Sequence, residues 1–344
     1  MERTREQSIR RIRQLLERAG FFVSDAHGIR PSSFDLAARR DSLLLLVKVL
    51  KNIDTLNRNE ATRLLELGRL FPAVALVVGR TSGASELETG VVYTRYELPI
   101  IREETLQEYV EKALSPFLLS SPGGVFARID GDRLRELREA RAISLGAMAA
   151  IAGVSRHSVQ LYEDGAGAET SVVARIEEYL GEAIAIPVDL FEIPRAEPRA
   201  PSTSSESRGG PGAEEERREA HRAALVLLRT GDPLRDGVFR QLDGMGWEVA
   251  PTSRAPFDAF TRTPPADAER EIILTAIGSL RTAMHRAEVL HQLARVAEGH
   301  AMFVVQEAIH RNSIGGLPIL SVTELKRHRD RDDLMDAITE RERT

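Results

Sequence analysis

The spacing of apolar residues in the first part of the chain changes from helical to strand-like, and this change predicts the order of the elements. Ile9, Ile12 and Leu16 recur at helical spacing and predict a first helix that ends at Gly20. The next segments predict a strand in FFVSD, a strand at 34–38 and a buried strand at 43–50, the last two of which form a hairpin. A helix follows that Asp54 caps and that runs to Leu70. After it the chain predicts a strand in AVALVVG, a short edge strand in VVYTRY and a helix at 104–114. The predicted order is helix, three strands, helix, two strands, helix.

The last third of the chain predicts the same order of elements, and short sequence matches occur in the same succession in both parts. The matches are Gly20-Phe21-Phe22-Val23 with Gly246-Trp247-Glu248-Val249, Phe34-Asp35 with Phe257-Asp258, LLLLVK with EIILTA, residues 61–70 with 287–296, ALVV with MFVV, and Leu98-Pro99-Ile100 with Leu317-Pro318-Ile319. Their ordered agreement predicts an internal duplication. The alternative is chance similarity, because any two α/β segments share apolar strands.

The middle of the chain predicts three short helices with a tight turn between the second and the third. Residues 133–141 form the first helix, and SLGAMAAIAG forms the second, with Ser144 as its N-cap and Gly153 in the turn. VSRHSVQLYEDG forms the third, with Ser155 as its N-cap and Gly165 at its end. A helix, a glycine-containing turn and a second helix of these lengths predict a helix-turn-helix.

The third of these helices carries residue types that read DNA. Its core-facing positions are Val159 and Tyr162, so Arg156, His157 and Gln160 are predicted on the exposed face. Arginine can bond guanine through two hydrogen bonds and glutamine can bond adenine in the same way. The helix N-termini at Ser144 and Ser155 offer a hydroxyl and backbone N–H groups to phosphate.

Composition narrows the classes of protein and of site. The chain has 344 residues, enough for two or three domains, and it has no cysteine, which excludes disulfides, thiolate metal sites and cysteine nucleophiles. The net charge of −5 gives no global attraction to nucleic acid, so any contact with DNA is local. No segment approaches the roughly 18 apolar residues of a membrane span, and the expected location is the cytoplasm. The predicted domains are 1–120, 125–193 and 220–344, with a disordered, Pro/Gly/Ser-rich linker at 194–219.

The central segment LRELREARAISLGAMAAIAGVSRHSVQLYEDGAG resembles the Cro/CI-type, xenobiotic-response-element helix-turn-helix of prokaryotic regulators. The resemblance covers 130–191 and includes the closing run Tyr162-Glu163-Asp164-Gly165. It implies DNA binding, and with its flanks the chain resembles an archaeal group of helix-turn-helix transcriptional regulators. Gly146 departs from the pattern, since a longer polar residue is usual there. Residues 131–181 hold six arginines against eight acidic residues, so a protein-contact module is the alternative.

The flanking α/β order resembles the restriction-endonuclease and Holliday-junction-resolvase superfamily. That resemblance implies an Asp on the second strand and a (D/E)-x-K motif on the third, which together hold Mg²⁺. Asp35 and Lys48 match the first Asp and the Lys, but Leu46 takes the place of the second carboxylate. In the second copy Asp258 stands alone, because Ile273 and Thr275 occupy the other positions. These are therefore interpreted as vestigial positions, with no catalytic residue, no metal and no cofactor. The alternative role of Asp35 is that of a structural hydrogen-bonding group.

The predicted fold class is α/β plus all-α, with two duplicated restriction-endonuclease-like α/β domains on either side of a central Cro/CI-type helix-turn-helix domain. The leading hypothesis is a sequence-specific transcriptional regulator that binds double-stranded DNA as a homodimer, with helix 154–164 in the major groove and the α/β domains serving dimerisation or sensing. The alternative is a divergent metal-dependent nuclease or resolvase-like enzyme, targeted to DNA by its helix-turn-helix. A non-DNA adaptor is a third hypothesis.

Overall fold

A computed structural model describes residues 4–26, 29, 32–121, 124–191, 230–264, 267 and 270–343. The linker predicted at 194–219 lies outside the described residues. In the described part of the chain, no helix has the length and apolar character needed to cross a membrane.

The first α/β region begins with a helix that a Thr4 capping box starts and continues into a sheet. Its helices are α1 (Arg5–Arg18), α2 (Arg58–Leu70) and α3 (Glu103–Lys112), and its strands are β1 (Phe22–Asp25), β2 (Leu36–Arg40), β3 (Leu43–Asn52), β4 (Val74–Ser82), β5 (Ser85–Glu86), β6 (Val91–Arg95) and β7 (Leu98–Arg102). The strand order is β1-β2-β3-β4-β7-β6, and β5 pairs with β4. β7 runs parallel to β4, which places the carboxyl ends of these two strands at the same edge.

Two sequence predictions in this region are wrong. VVYTRY is not an edge strand, because β6 lies between β7 and β8 (Leu118–Ser121). The chain turns at Tyr96 and Glu97, which both have positive φ. After this turn β7 pairs antiparallel with β6 and lies between β6 and β4. Asp54 does not cap α2, which starts four residues later, where Asn57 accepts a hydrogen bond from the Glu60 backbone N–H at 3.0 Å.

The central helical region continues directly from the first sheet. Its strands are β8, β9 (Gly124–Ile129), β10 (Ala168–Glu169) and β11 (Ala185–Ile186), and its helices are α4 (Gly131–Ala140), α5 (Leu145–Ala152), α6 (Arg156–Glu163) and α7 (Thr170–Leu180). β8 pairs with β6 in parallel and with β9 in antiparallel orientation. β9 also pairs with β10 and β11, so strands connect the helices to the sheet. The boundary between the predicted domains 1–120 and 125–193 therefore falls between two paired strands.

The second α/β region follows the same plan. Its helices are α8 (Pro233–Gly244), α9 (Leu280–Ala297), α10 (Val322–Leu325) and α11 (Arg331–Glu342), and its strands are β12 (Glu248–Pro251), β13 (Ala259–Arg262), β14 (Ile272–Gly278), β15 (His300–Val305), β16 (Ser313–Ile314) and β17 (Leu317–Ser321). The strand order β12-β13-β14-β15-β17-β16 equals that of the first region. β15 and β17 are parallel, as β4 and β7 are.

Backbone pairing places Asp35 and Asp258 at the same point of the two sheets. In the first region the Ala26 N–H donates to the Asp35 carbonyl at 2.9 Å, directly before β2. In the second the Thr252 N–H donates to the Asp258 carbonyl at 2.9 Å, directly before β13. Each Asp thus precedes its second strand and pairs with the residue that follows the first strand.

Contacts divide the chain into two compact units that do not coincide with the domain ranges predicted from the sequence, which remain predictions. One unit comprises Met1–Gly20, Val47–Leu65 and Val74–Arg195, and the other comprises Phe21–Leu46, Glu66–Ala73 and Ala196–Thr344. In the second unit α9 packs against β1 and β2, and the Arg295 guanidinium lies 4.4 Å from the centre of the Phe22 ring. Phe71 makes edge-to-face contacts with Phe257 at 5.7 Å and Phe260 at 4.9 Å between ring centres.

Candidate nucleic-acid interface

Two serines start the helices of the helix-turn-helix, as the sequence predicted. The Ser144 hydroxyl accepts a hydrogen bond from the Ala147 N–H at 3.1 Å and caps α5. The Ser155 hydroxyl accepts one from the Ser158 N–H at 3.0 Å and caps α6. Both serines are exposed, so the N-termini of both helices open toward solvent.

The turn between α5 and α6 is stabilised by Gly153 and also by Arg175, which was not predicted from the sequence. Gly153 ends α5 with φ of 68°, a left-handed conformation that favours glycine. Arg175 of α7 donates from Nε and Nη2 to the Ala152 carbonyl at 2.9 and 2.6 Å. These bonds satisfy a carbonyl at the end of α5 and fix α7 against the turn. No local pattern marks Arg175, because its partner lies 23 positions earlier in the chain.

The predicted reading face of α6 is exposed and its opposite face is buried. Val159 is completely buried and Tyr162 is half-buried, which holds the helix to the core of the domain. Arg156, His157 and Gln160 are exposed, as expected from the helical spacing. Within the described residues, none of these three side chains has a hydrogen-bond or ion-pair partner. All three are therefore free to contact a ligand.

The opposite side of the domain is held by a buried ion pair between α4 and α6. Arg138 donates from Nε and Nη2 to the Glu163 carboxylate, and from Nη1 to the Ile143 carbonyl at 3.1 Å. The side chains of Arg138 and Glu163 are only 11% and 5% exposed. The hydrogen bond that Arg138 donates to Glu163 is the main cause that raises the pKa of Arg138. Gly131 permits this approach, since an added Cβ would lie 2.5 Å from the Glu163 carbonyl oxygen.

The charges of the domain are thus divided between its faces. Residues 131–181 contain six arginines, and five of them are paired in the described structure: Arg133 with Glu182, Arg135 with Glu163 and Asp164, Arg138 with Glu163, Arg141 with Glu182, and Arg175 with the Ala152 carbonyl. Arg156 is the exception. The excess of acidic residues that the sequence shows therefore does not describe the reading face, where a free guanidinium stands at the start of α6.

The nuclease-like positions lie in buried surroundings. Asp35 and Lys48 are 2% and 9% exposed, and Leu46 belongs to the core. Asp258 is 7% exposed and accepts from the Ile277 N–H at 2.8 Å. Two guanidinium groups also approach this carboxylate, from Arg235 at 2.8 Å and from Arg286 at 3.7 Å. Burial raises the pKa of Asp258, and the Ile277 N–H and both arginines oppose that rise.

The residues present in the second α/β region do not fit the Mg²⁺ that a nuclease fold implies. Mg²⁺ needs oxygen ligands with little competition from cations, but Arg235 and Arg286 already compensate the carboxylate of Asp258. Ile273 is completely buried among apolar side chains, and Thr275 is buried beside Thr261. Among the described residues, no group of three or more His, Asp or Glu side chains is arranged to hold a metal ion.

Comparison with known proteins defines the class first. A family model described as a helix-turn-helix domain matches residues 131–183, and one described as a PD-(D/E)XK superfamily domain matches residues 5–115. The chain thus combines a helix-turn-helix with a nuclease-like domain at its N-terminal side. No solved structure matches it significantly.

The relatives then give the particular family. Three proteins named "Putative HTH-type transcriptional regulatory protein" are similar over nearly the whole chain. They come from Methanocella arvoryzae (33% identical, covering 98% of this chain and 97% of the relative), Methanosarcina acetivorans (32%, covering 99% and 98%) and Halorubrum lacusprofundi (32%, covering 97% and 96%). The chain belongs to this archaeal family.

Proposed function

We propose that this protein is a sequence-specific, DNA-binding transcriptional regulator. The observation that carries the proposal is the exposed, unpartnered set of Arg156, His157 and Gln160 on a helix whose other face is fixed to the core. The names of the relatives support the same function.

In the proposed complex α6 enters the major groove. Arg156 and Gln160 contact base edges, for which their side chains have the donor and acceptor geometry. The N-termini of α5 and α6, at Ser144 and Ser155, bind phosphates on either side of the groove and set the orientation of the helix. One helix of this length reads only a few base pairs, so we propose a homodimer that binds half-sites about 34–36 Å apart, or a multiple of that spacing.

The two α/β regions are proposed to arise by duplication and to be inert as nucleases, serving dimerisation or sensing. Their identical strand order and the equivalent positions of Asp35 and Asp258 support duplication. The apolar Leu46 at the place of the second carboxylate supports the loss of catalysis, and so do the buried, apolar Ile273 and Leu274 of the second region.

The reading helix is tested by selecting DNA from a random pool with the full chain and measuring fluorescence anisotropy on the selected site. We expect Arg156→Ala and Gln160→Ala each to weaken binding to that site by about 1–3 kcal/mol and to relax the preference there. Arg133→Ala is the matched control, because it removes an exposed arginine that pairs with Glu182 outside the reading face. Identical affinities of the wild type and the Arg156→Ala, Gln160→Ala double variant would assign α6 to protein contacts instead.

A divergent nuclease is the second candidate, favoured by the PD-(D/E)XK match and by the buried Asp35 and Lys48 in its range. Incubation of the full chain with branched, nicked and duplex DNA in Mg²⁺ or Mn²⁺ tests it. We expect no cleavage, since Leu46 provides no second carboxylate. Turnover that Asp35→Ala abolishes would establish the enzyme and contradict our assignment.

A further inference from the structure

A polar pocket opens at the carboxyl ends of β3, β4 and β7, away from the helix-turn-helix. Its volume is about 250 Å³. The lining includes Ser8 of α1, residues 49–50 of β3 and 78–79 of β4, and five charged residues, which are Arg80, Glu86, Arg102, Glu103 and Glu104. All of these residues belong to one compact unit. The carboxyl edge of parallel strands is where open α/β sheets bind their ligands.

Two arginines in this pocket hold one carboxylate between them. Arg80 Nη2 lies 2.9 Å from Glu86 Oε1, and Arg102 Nη2 lies 3.0 Å from Glu86 Oε2. The hydrogen bond from Arg80 is the first cause that lowers the pKa of Glu86, and the charge of Arg102 adds to it. Guanidinium groups on both oxygens of a carboxylate form a clamp that suits any small oxyanion.

Glu86 is the member of the clamp that can leave. It belongs to the two-residue strand β5, both of whose residues are exposed, and its side chain is 49% exposed. Arg102 has further anchors in place, whereas the bonds of Arg80 in the described structure go to Glu86. Arg102 donates to Glu104 at 2.7 Å and to the Leu87 carbonyl at 2.8 Å, and these bonds position its guanidinium independently of Glu86. The third carboxylate of the pocket, Glu103, pairs with Arg11 at 2.9 Å and does not enter the clamp.

The geometry points to a binding site for a small oxyanion, a phosphate or a carboxylate, between Arg80 and Arg102, in which Glu86 is a built-in competitor. The volume lies below the roughly 300–1,000 Å³ of sites for drug-sized ligands, so the ligand has few atoms. Ser8 at the wall supplies a hydroxyl that can bond a further anion oxygen. The inference does not depend on DNA binding.

Isothermal titration calorimetry of the full chain tests the site, with inorganic phosphate and with succinate at constant ionic strength. The apparent affinity for an anion falls in proportion to the fraction of molecules in which Glu86 has left the two arginines. If that fraction is about one tenth, the wild type binds the anion about tenfold more weakly than a protein whose arginines are always open. We therefore expect Glu86→Gln to bind one of the two anions at least about tenfold more tightly than the wild type, and Arg80→Gln in the Glu86→Gln background to lose that binding. Preference for phosphate or for succinate distinguishes the two sources of the oxyanion.

Glu88→Gln is the matched control. Glu88 is exposed, lies two positions from Glu86 and is not part of the pocket lining. Its substitution changes the net charge by the same amount as Glu86→Gln but leaves the clamp intact. It should leave anion affinity at the wild-type value. Equal affinities of Glu86→Gln and Glu88→Gln, or no binding of either anion by Glu86→Gln, would overturn the proposal. A circular dichroism melt verifies that each variant is folded, which the exposure of Glu86 leads us to expect.

Discussion

Arg138 of α4 and Arg156 of α6 carry the same charge in one small domain, but they differ in every contact. Arg138 is buried and hydrogen-bonded to Glu163 and to the Ile143 carbonyl. Arg156 is exposed and, within the described residues, has no partner. A buried guanidinium without its acid is costly, whereas an exposed one is solvated and available for phosphates or bases. Position, and not residue type, separates the arginines that build the domain from the one proposed to read DNA.

The comparison also explains why summed charge is a poor guide for this domain. Glu163 neutralises Arg138, and Glu182 pairs with both Arg133 and Arg141. These acids therefore pair with other arginines of the domain and not with Arg156. DNA would encounter the local charge of Arg156 and the N–H groups of the helix N-terminus.

Removal of Glu163, the buried partner of Arg138, should give the largest change in stability. Glu163→Ala removes the buried carboxylate of Arg138 and leaves it only the exposed Glu139 and the Ile143 carbonyl as partners. We expect this variant to lower the free energy of opening α4 and α6 by about 3–5 kcal/mol. Amide hydrogen exchange of the two helices in the full chain measures this locally. Glu139→Ala is the control, because it removes the 63% exposed partner of the same arginine and should cost less than about 1 kcal/mol. Equal losses in the two variants would contradict the distinction between the faces.

Substitution of the exposed Arg156 should give the next largest effect, and this effect should appear in DNA affinity and not in the stability of the domain. Arg156→Lys keeps the charge but loses the planar fork that bonds guanine at two points. We expect the affinity for the selected DNA to fall by about 1–3 kcal/mol, while the slope of affinity against salt stays constant because the charge is kept. Anisotropy titrations at several salt concentrations measure both quantities. An unchanged preference among DNA sequences would mean that Arg156 contacts only phosphate.

Local signals allowed much of this architecture to be predicted from the sequence. The caps Ser144 and Ser155 were predicted correctly, because an N-cap is recognised from the residues of the first turn alone. The exposed positions of Arg156 and Gln160 follow in the same way from the helical period that buries Val159.

What the sequence did not predict depends on contacts between distant residues. Arg138 pairs with a residue 25 positions away, and Arg175 with one 23 positions away, so no window of sequence shows either contact. The guanidinium groups that approach Asp258 come from two different helices, α8 and α9. The strand β7 was missed as a strand because Pro99 weakens its pattern, although pairing with β4 and β6 secures it.

The smallest expected effect concerns Ser155, which has a structural role and a proposed role in DNA binding. Ser155 caps α6 and, in the proposed complex, also faces a phosphate. Ser155→Ala should lower the stability of α6 by about 1 kcal/mol, whereas Ser155→Asp should retain it, because aspartate caps helices as well as serine does. The new carboxylate would nevertheless repel the DNA backbone, so Ser155→Asp should weaken binding about equally on selected and unrelated sequences. Hydrogen exchange of α6 and anisotropy on both DNA sequences measure the two roles in the same variants. A stable Ser155→Asp variant that binds DNA like the wild type would show that the start of α6 does not approach the phosphates.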